Sequence, residues 1–127
     1  MRTGAIIALT LLLIIGIGGY TAQKSIEYIT MIYESAAEEL HVMTGAGMWQ
    51  RAEETLRSYQ AQWQRTQRRL KLFVKHAVVQ EITMAMDRLM VGIQQQDTAL
   101  CAMSCVELKQ QAQLLQEQET LSWTNLL

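Results

Sequence analysis

Mostly apolar residues recur along this chain in steps of three and four, the spacing that lines one face of an α-helix. The clearest run is Trp49, Ala52, Leu56, Tyr59, Trp63, Thr66, Leu70 and Phe73. It sets two tryptophans on one stripe and predicts a long amphipathic helix from about Met48 to Lys75. Such a stripe is not stable alone in water, so other segments must cover it. Ile26, Ile29, Tyr33, Ala36, Leu40 and Met43 form an earlier stripe, closed by Thr44-Gly45-Ala46-Gly47, the plainest break in the chain. Val79, Ile82, Met86, Leu89 and Ile93 form a later one that is out of phase with the tryptophan stripe. That slip predicts a turn or strong kink at 75–78, with one continuous bent helix as the alternative. Gln94-Gln95-Gln96-Asp97-Thr98 is a polar connection in which Asp97 suits a helix N-cap. The last stripe, Cys101, Cys105, Leu108, Ala112 and Leu115, predicts a helix over about 98–117. The tail from Thr120 to Leu127 is apolar for a terminus and shows no clear period.

Ahead of these stripes lies a stretch with no polar face. Thr3–Gln23 contains no charged residue and Ala5–Tyr20 is almost wholly aliphatic. Twenty helical residues span about 30 Å, the thickness of a bilayer core. A cleaved signal peptide would want small residues before a cleavage point, which Tyr20-Thr21-Ala22 fits poorly. A lipoprotein would need a cysteine just after the apolar run, and a buried core helix rarely stays charge-free for so long. The reading is an uncleaved membrane anchor over 1–23 followed by an extracytoplasmic helical domain over 24–127. Arg2 on one flank, with Lys24, Glu27, Glu34, Glu38 and Glu39 on the other, places the N-terminus inside and residues 24–127 outside.

Composition narrows the fold. Half the 127 residues are apolar and there is no proline. Four of the seven glycines lie in the first twenty residues. The remainder is rich in good helix formers, and strand alternation and hairpin turns are missing. The expected class is all-α: an N-terminal transmembrane helix continuing into an antiparallel helical bundle, with αα-hairpins and coiled-coil-like seams.

Charge changes the picture in one place. Residues 24–56 carry two basic and six acidic side chains, and 76–127 the same numbers. Between them, 57–75 holds Arg57, Arg65, Arg68, Arg69, Lys71 and Lys75 and no acid. The plain reading is a basic helix beside acidic ones; the sharper is a patch for an anionic surface. Nucleic acid is disfavoured by the net charge of −1 and by the location outside the membrane.

Catalytic signals are weak. Cys101 and Cys105 share a helix face, where their spacing is poor for a disulfide and incomplete for a metal, so core packing is the simplest role. His76 is expected to cap or hinge the end of the tryptophan helix, where a helix C-terminus favours it. Glu38-Glu39 and Glu53-Glu54 point to different faces and cannot work as dyads. The eight methionines are expected to be adaptable core. There is no phosphate loop, metalloprotease motif or serine nucleophile signature, so no cofactor, metal or enzymatic activity is implied.

Met48-Trp49-Gln50-Arg51-Ala52-Glu53 opens a helix, Trp63 follows with a basic run to Lys71, then come Leu72-Phe73-Val74-Lys75-His76, and Leu121-Ser122-Trp123-Thr124-Asn125-Leu126-Leu127 ends the chain. In order and spacing the chain resembles domain-of-unknown-function family 4363, small single-span proteins of clostridial-type Firmicutes. Leu126 stands where isoleucine is commoner in that family. The resemblance implies a location and a layout, and no activity. Trp49, Trp63, Phe73, His76, Trp123 and Asn125 are the structural or interaction candidates; Arg65, Arg68, Arg69, Lys71 and Lys75 are the anionic-surface candidates. The expected role is a protein-interaction or scaffold module at the outer face of the cytoplasmic membrane. Its partners would be the bilayer and another membrane protein, with homo-oligomers left open. The alternative is a binding module for an anionic lipid or wall polymer through 57–75. If the tryptophan helix runs back toward the membrane, its basic end and Trp123, Leu126 and Leu127 return to one level there, with Asn125 beside His76.

Overall fold

The computed structural model describes the backbone of residues 2–71 and 74–126, and the side chains of residues 2–21, 24–71 and 74–117. Four helices make up the described residues: α1 Arg2–Gly45, α2 Trp49–Leu70, α3 His76–Gln94 and α4 Thr98–Leu126. Each packs on its neighbours in chain order and α4 closes the ring against α1, an antiparallel up-down-up-down bundle. The all-α expectation holds.

α1 is one helix of 44 residues and belongs to two environments. From Arg2 to Thr21 every side chain is exposed, Gly19 alone being half-covered. From Ile26 onward the helix joins the bundle through Ile26, Thr30, Tyr33, Ala36, Ala37, Leu40 and Thr44. The apolar half is long and apolar enough to cross a membrane, by length and composition. Its two internal hydroxyls are satisfied within the helix: Thr10 donates to the Ile6 carbonyl and Thr21 to that of Ile17, both at 2.8 Å.

Two of the three connections use the same device. After α1, the Met48 amide donates to the Met43 carbonyl (2.9 Å) and the Gly47 amide to that of Thr44, with Gly47 at φ 73°. After α3, the Asp97 amide donates to the Gly92 carbonyl (2.8 Å) and the Gln96 amide to that of Ile93, with Gln96 at φ 53°. Both are Schellman turns, which satisfy the last carbonyls of a helix by placing one residue in the left-handed region. Glycine does this without strain; Gln96 carries a Cβ into it. Asp97 then caps α4, accepting the Leu100 amide at 3.1 Å.

The remaining connection departs from expectation. α2 stops at Leu70 rather than near Lys75, and α3 begins at His76. The continuous bent helix is excluded. Leu56, Trp63 and Leu70 are buried seven apart, and extending the helix would turn Ala77 and Glu81 inward. Both are exposed, while Val78, Val79 and Ile82 are buried. The phase slip is therefore absorbed at 71–75, a few residues earlier than its β-branched pair suggests. α4 also exceeds expectation, running helical through Leu126.

The core sits where the four stripes meet. Trp63 is 1% exposed, and its ring stands edge-on to Tyr33 at 5.0 Å between centroids. Its indole N–H donates to Thr83 Oγ1 at 2.9 Å, which ties α2 to α3. α1 and α4 are joined by the buried Thr30 hydroxyl, which donates to the Ala112 carbonyl at 3.2 Å. α3 and α4 approach closely at Gly92, where a Cβ would lie 2.9 Å from Cys101 Sγ.

Candidate functional site

Cross-helix contacts fix the heights of the helices against each other. Tyr33 meets Trp63, and the Tyr59 hydroxyl donates to Glu39 at 2.9 Å, so α2 descends as α1 rises. Leu70 is thereby level with Ile26, the first core residue of α1. Trp63 to Thr83 sets α3 rising again, and Thr30 to Ala112 sets α4 descending. The corner between α2 and α3 thus lies at the end of the bundle from which the apolar half of α1 emerges.

Arg65, Arg68, Arg69, Lys71 and Lys75 converge on that corner, and all are exposed. None of them forms an ion pair among the described residues. Arg57 is different: its guanidinium pairs with Glu53 at 2.9 Å, one turn along α2. Arg68 and Arg69 also occupy the last turn of α2, where cations offset the negative helix end. The N-terminus of α3 faces the same corner with no side-chain cap and no acid in its first turn.

His76 is exposed and opens α3 rather than ending α2. The expected stabilisation by a helix C-terminus is therefore corrected, because a protonated imidazole would meet the positive end of α3. Trp63 is a core residue, and Trp49 is half-buried beside the α1–α2 turn at the opposite end of the molecule. There it lines an open cleft with Gly47, Arg51, Glu54 and Gln96. Phe73 lies outside the described residues. So do the side chains of Trp123 and Asn125, although α4 carries their backbone toward the anchor end. The two tryptophans of α2 serve the fold, and among the described candidates the five basic residues share one corner with His76 beside them.

Cys101 and Cys105 are buried and free. Burial pushes the Cys105 thiol up to about 12, with the Cys101 sulfur adding to it. Cys101 is raised as well, by burial and then by the Asp97 carboxylate. Thiols held neutral in this way are poor nucleophiles and poor metal ligands. The Tyr33 hydroxyl is buried; burial raises its pKa, and the Thr66 hydroxyl and Arg65 guanidinium nearby pull it partly back. Ser104 Oγ is buried without a partner among the described residues.

Four methionines are not core: Met31, Met48, Met84 and Met103 are exposed. Met84 and Val91 flank Arg88 on α3, and Met103 lies one turn from Glu107 on α4. Arg88 and Glu107 bridge the two helices at 2.5 Å. This apolar face around an ion pair is not evident from the sequence, because its members belong to no stripe. The paired acids are also engaged more specifically than solvated surface: Glu38 holds Lys109 at 2.9 Å and Glu39 accepts Tyr59.

No curated protein and no solved structure matches this chain. The sequence profile of one family, Domain of unknown function (DUF4363), matches residues 20–126, which take in the whole bundle. The chain belongs to that family.

Proposed function

We propose that this protein is a membrane-anchored, non-enzymatic interaction module. It holds a four-helix bundle at the outer face of the cytoplasmic membrane and presents it to another membrane protein. The observation that carries this reading is the face formed by Met84, Val91 and Met103 around the Arg88–Glu107 pair. Methionine and arginine are enriched at the centres of protein interfaces. The continuity of α1 supports the same reading, since it fixes this face at a set height above any bilayer its apolar half spans. The absence of a catalytic signature in the sequence and the neutral, buried thiols give no footing for an enzyme.

Affinity capture of the full-length chain from gently solubilised membranes tests it. A discrete membrane protein should co-elute with the wild type and be lost with Met84→Glu/Met103→Glu at unchanged thermal stability. Recovery of the chain alone from native membranes overturns the reading.

A second reading is favoured by a different observation. The five cations of the α2–α3 corner lack anionic partners among the described residues. This supports a site for an anionic lipid or wall polymer, narrower than the 57–75 segment because Arg57 is already paired.

A further inference from the structure

Around the anchor end, six cations, Lys24, Arg65, Arg68, Arg69, Lys71 and Lys75, stand against four acids of the sequence, Glu27, Glu81, Glu117 and Glu119. Glu27 is taken by Lys24, at 3.4 Å. The excess is therefore positive, exposed and gathered at one end, whereas three of the four described cations elsewhere on the bundle are matched, Arg57 by Glu53, Arg88 by Glu107 and Lys109 by Glu38, and Arg51 stands apart from the cluster at the other end. Segregation of this kind costs stability through mutual repulsion unless an external anion completes it. The corner is level with Ile26, and the exposed apolar run of α1 ends a few residues before Ile26. A span of about 20 residues filling the hydrocarbon core leaves this corner within a few ångströms of the headgroups.

We propose that Arg65, Arg68, Arg69, Lys71 and Lys75 dock the bundle on the phosphates of anionic phospholipids in the leaflet from which α1 emerges. The inference rests on the membrane-anchor reading and commits the second reading above to lipid. A wall polymer needs no particular height on the bundle, whereas a headgroup plane does, and the five cations fall within about 9 Å of one another along the bundle axis, at its anchor end. Arginine suits the contact because its planar fork binds phosphate oxygens in pairs. The uncapped amides of α3 add donors at the same place. Each cation near an anionic surface contributes about fivefold to the docked population, so three together contribute roughly a hundredfold.

The test uses the full chain in lipid nanodiscs, spin-labelled at His76→Cys, an exposed position outside the proposed cation set. Cys101 and Cys105 are buried and stay unlabelled in the folded protein. The readout is the depth of the label against the phosphate plane. In nanodiscs containing phosphatidylglycerol the label should sit at phosphate depth. It should move into water in pure phosphatidylcholine, at high salt, or with Arg65→Gln/Arg68→Gln/Arg69→Gln. Arg51→Gln/Arg57→Gln removes charge from the same helix at other heights and should leave the depth unchanged. Equal depth in both lipids, or an equal loss in the two variants, overturns the proposal. Immobilisation by soluble poly(glycerol phosphate) with no response to phosphatidylglycerol overturns it in favour of a wall polymer. Failure of the wild-type chain to float with neutral vesicles overturns the anchor reading instead, a separate outcome. Thermal unfolding of each variant confirms that the bundle is intact.

Discussion

Replacing Gly92 by alanine sets two effects of opposite sign against each other. Gly92 lies inside α3, where alanine is favoured over glycine by about 1 kcal/mol on helix propensity alone. The structure opposes that gain. A Cβ at this position would lie 2.9 Å from Cys101 Sγ, 3.2 Å from the Cys101 backbone nitrogen and 3.3 Å from Leu100 Cγ. The sulfur is the end of a short side chain that is itself buried, and the nitrogen is backbone held by Asp97 at 3.0 Å. Relief therefore needs α3 and α4 to separate just beside their tight turn. Overpacking of this kind costs about 1–3 kcal/mol, so the net effect should be a loss of up to about 2 kcal/mol. At this size that is a fall in Tm of up to about 8 °C. Thermal unfolding of the full chain in one detergent, followed by circular dichroism, measures it. Gly92→Ala/Cys101→Ala should recover part of the loss, since it removes the sulfur contact and leaves the one to nitrogen. A Tm that rises on Gly92→Ala would falsify the argument, because helix propensity would then outweigh the close approach.

Four further outcomes follow from single features. Gln96→Gly should stabilise by about 1 kcal/mol, because glycine occupies the left-handed position of the α3–α4 turn without a Cβ; an unchanged urea midpoint would show the turn to be unstrained. Ser104→Ala should stabilise by about 1 kcal/mol, since it removes a buried hydroxyl that has no partner, whereas Thr30→Val should cost about 1 kcal/mol by deleting the bond to Ala112; a reversal of the two signs in chemical denaturation would refute the hydrogen-bond assignment. Trp63→Ala should cost about 3–5 kcal/mol, while Trp63→Phe should cost less, losing mainly the bond to Thr83; equal losses on thermal unfolding would mean that ring volume contributes little. Stability should fall as pH rises from about 9 toward 12, because Cys105 stays protonated in the fold to about 12 while the unfolded thiol ionises near 9.0. Tyr33, raised from 10.0 by burial, acts in the same direction. A Cys105→Ala chain should show a shallower decline, and an identical pH profile would remove Cys105 from the account.

The stripes were legible because burial imposes them. Ile26, Tyr33, Leu40, Leu56, Trp63, Ile82, Leu89 and Leu108 are the residues any helical reading would place inside, and they are inside. The Thr44–Gly47 break and the Asp97 cap were legible for a local reason, since turn and cap chemistry is written within a few residues. The end of α2 was misplaced because no glycine or proline marks it; the corner follows from where α3 must pack. Gly92 gave no signal because a close approach is a property of two helices. The basic segment was visible as charge, and the anionic-surface candidates, Arg65, Arg68, Arg69, Lys71 and Lys75, already left Arg57 aside; the structure supplies the reason. That distinction depends on Glu53 lying one turn away while the lower half of α2 meets no acid. The role expected of His76 failed for the same reason as the helix boundary, since moving the break reverses the sign of the nearest helix end.

The absence of any break in α1 between its apolar half and its bundle half makes the molecule a lever. Its 44 residues form a rod of about 66 Å. The helices packed on its upper part act as a splint, so bending there would have to open the core around Tyr33 and Leu40. If the lower part spans a bilayer, its tilt is set by the mismatch between span length and bilayer thickness. A change of about 10° in that tilt, pivoting where the bundle begins, swings the α1–α2 turn sideways by roughly 5 Å over a 30 Å arm. Thickness is thereby converted into lateral displacement of Trp49 and its cleft, with no rearrangement inside the domain.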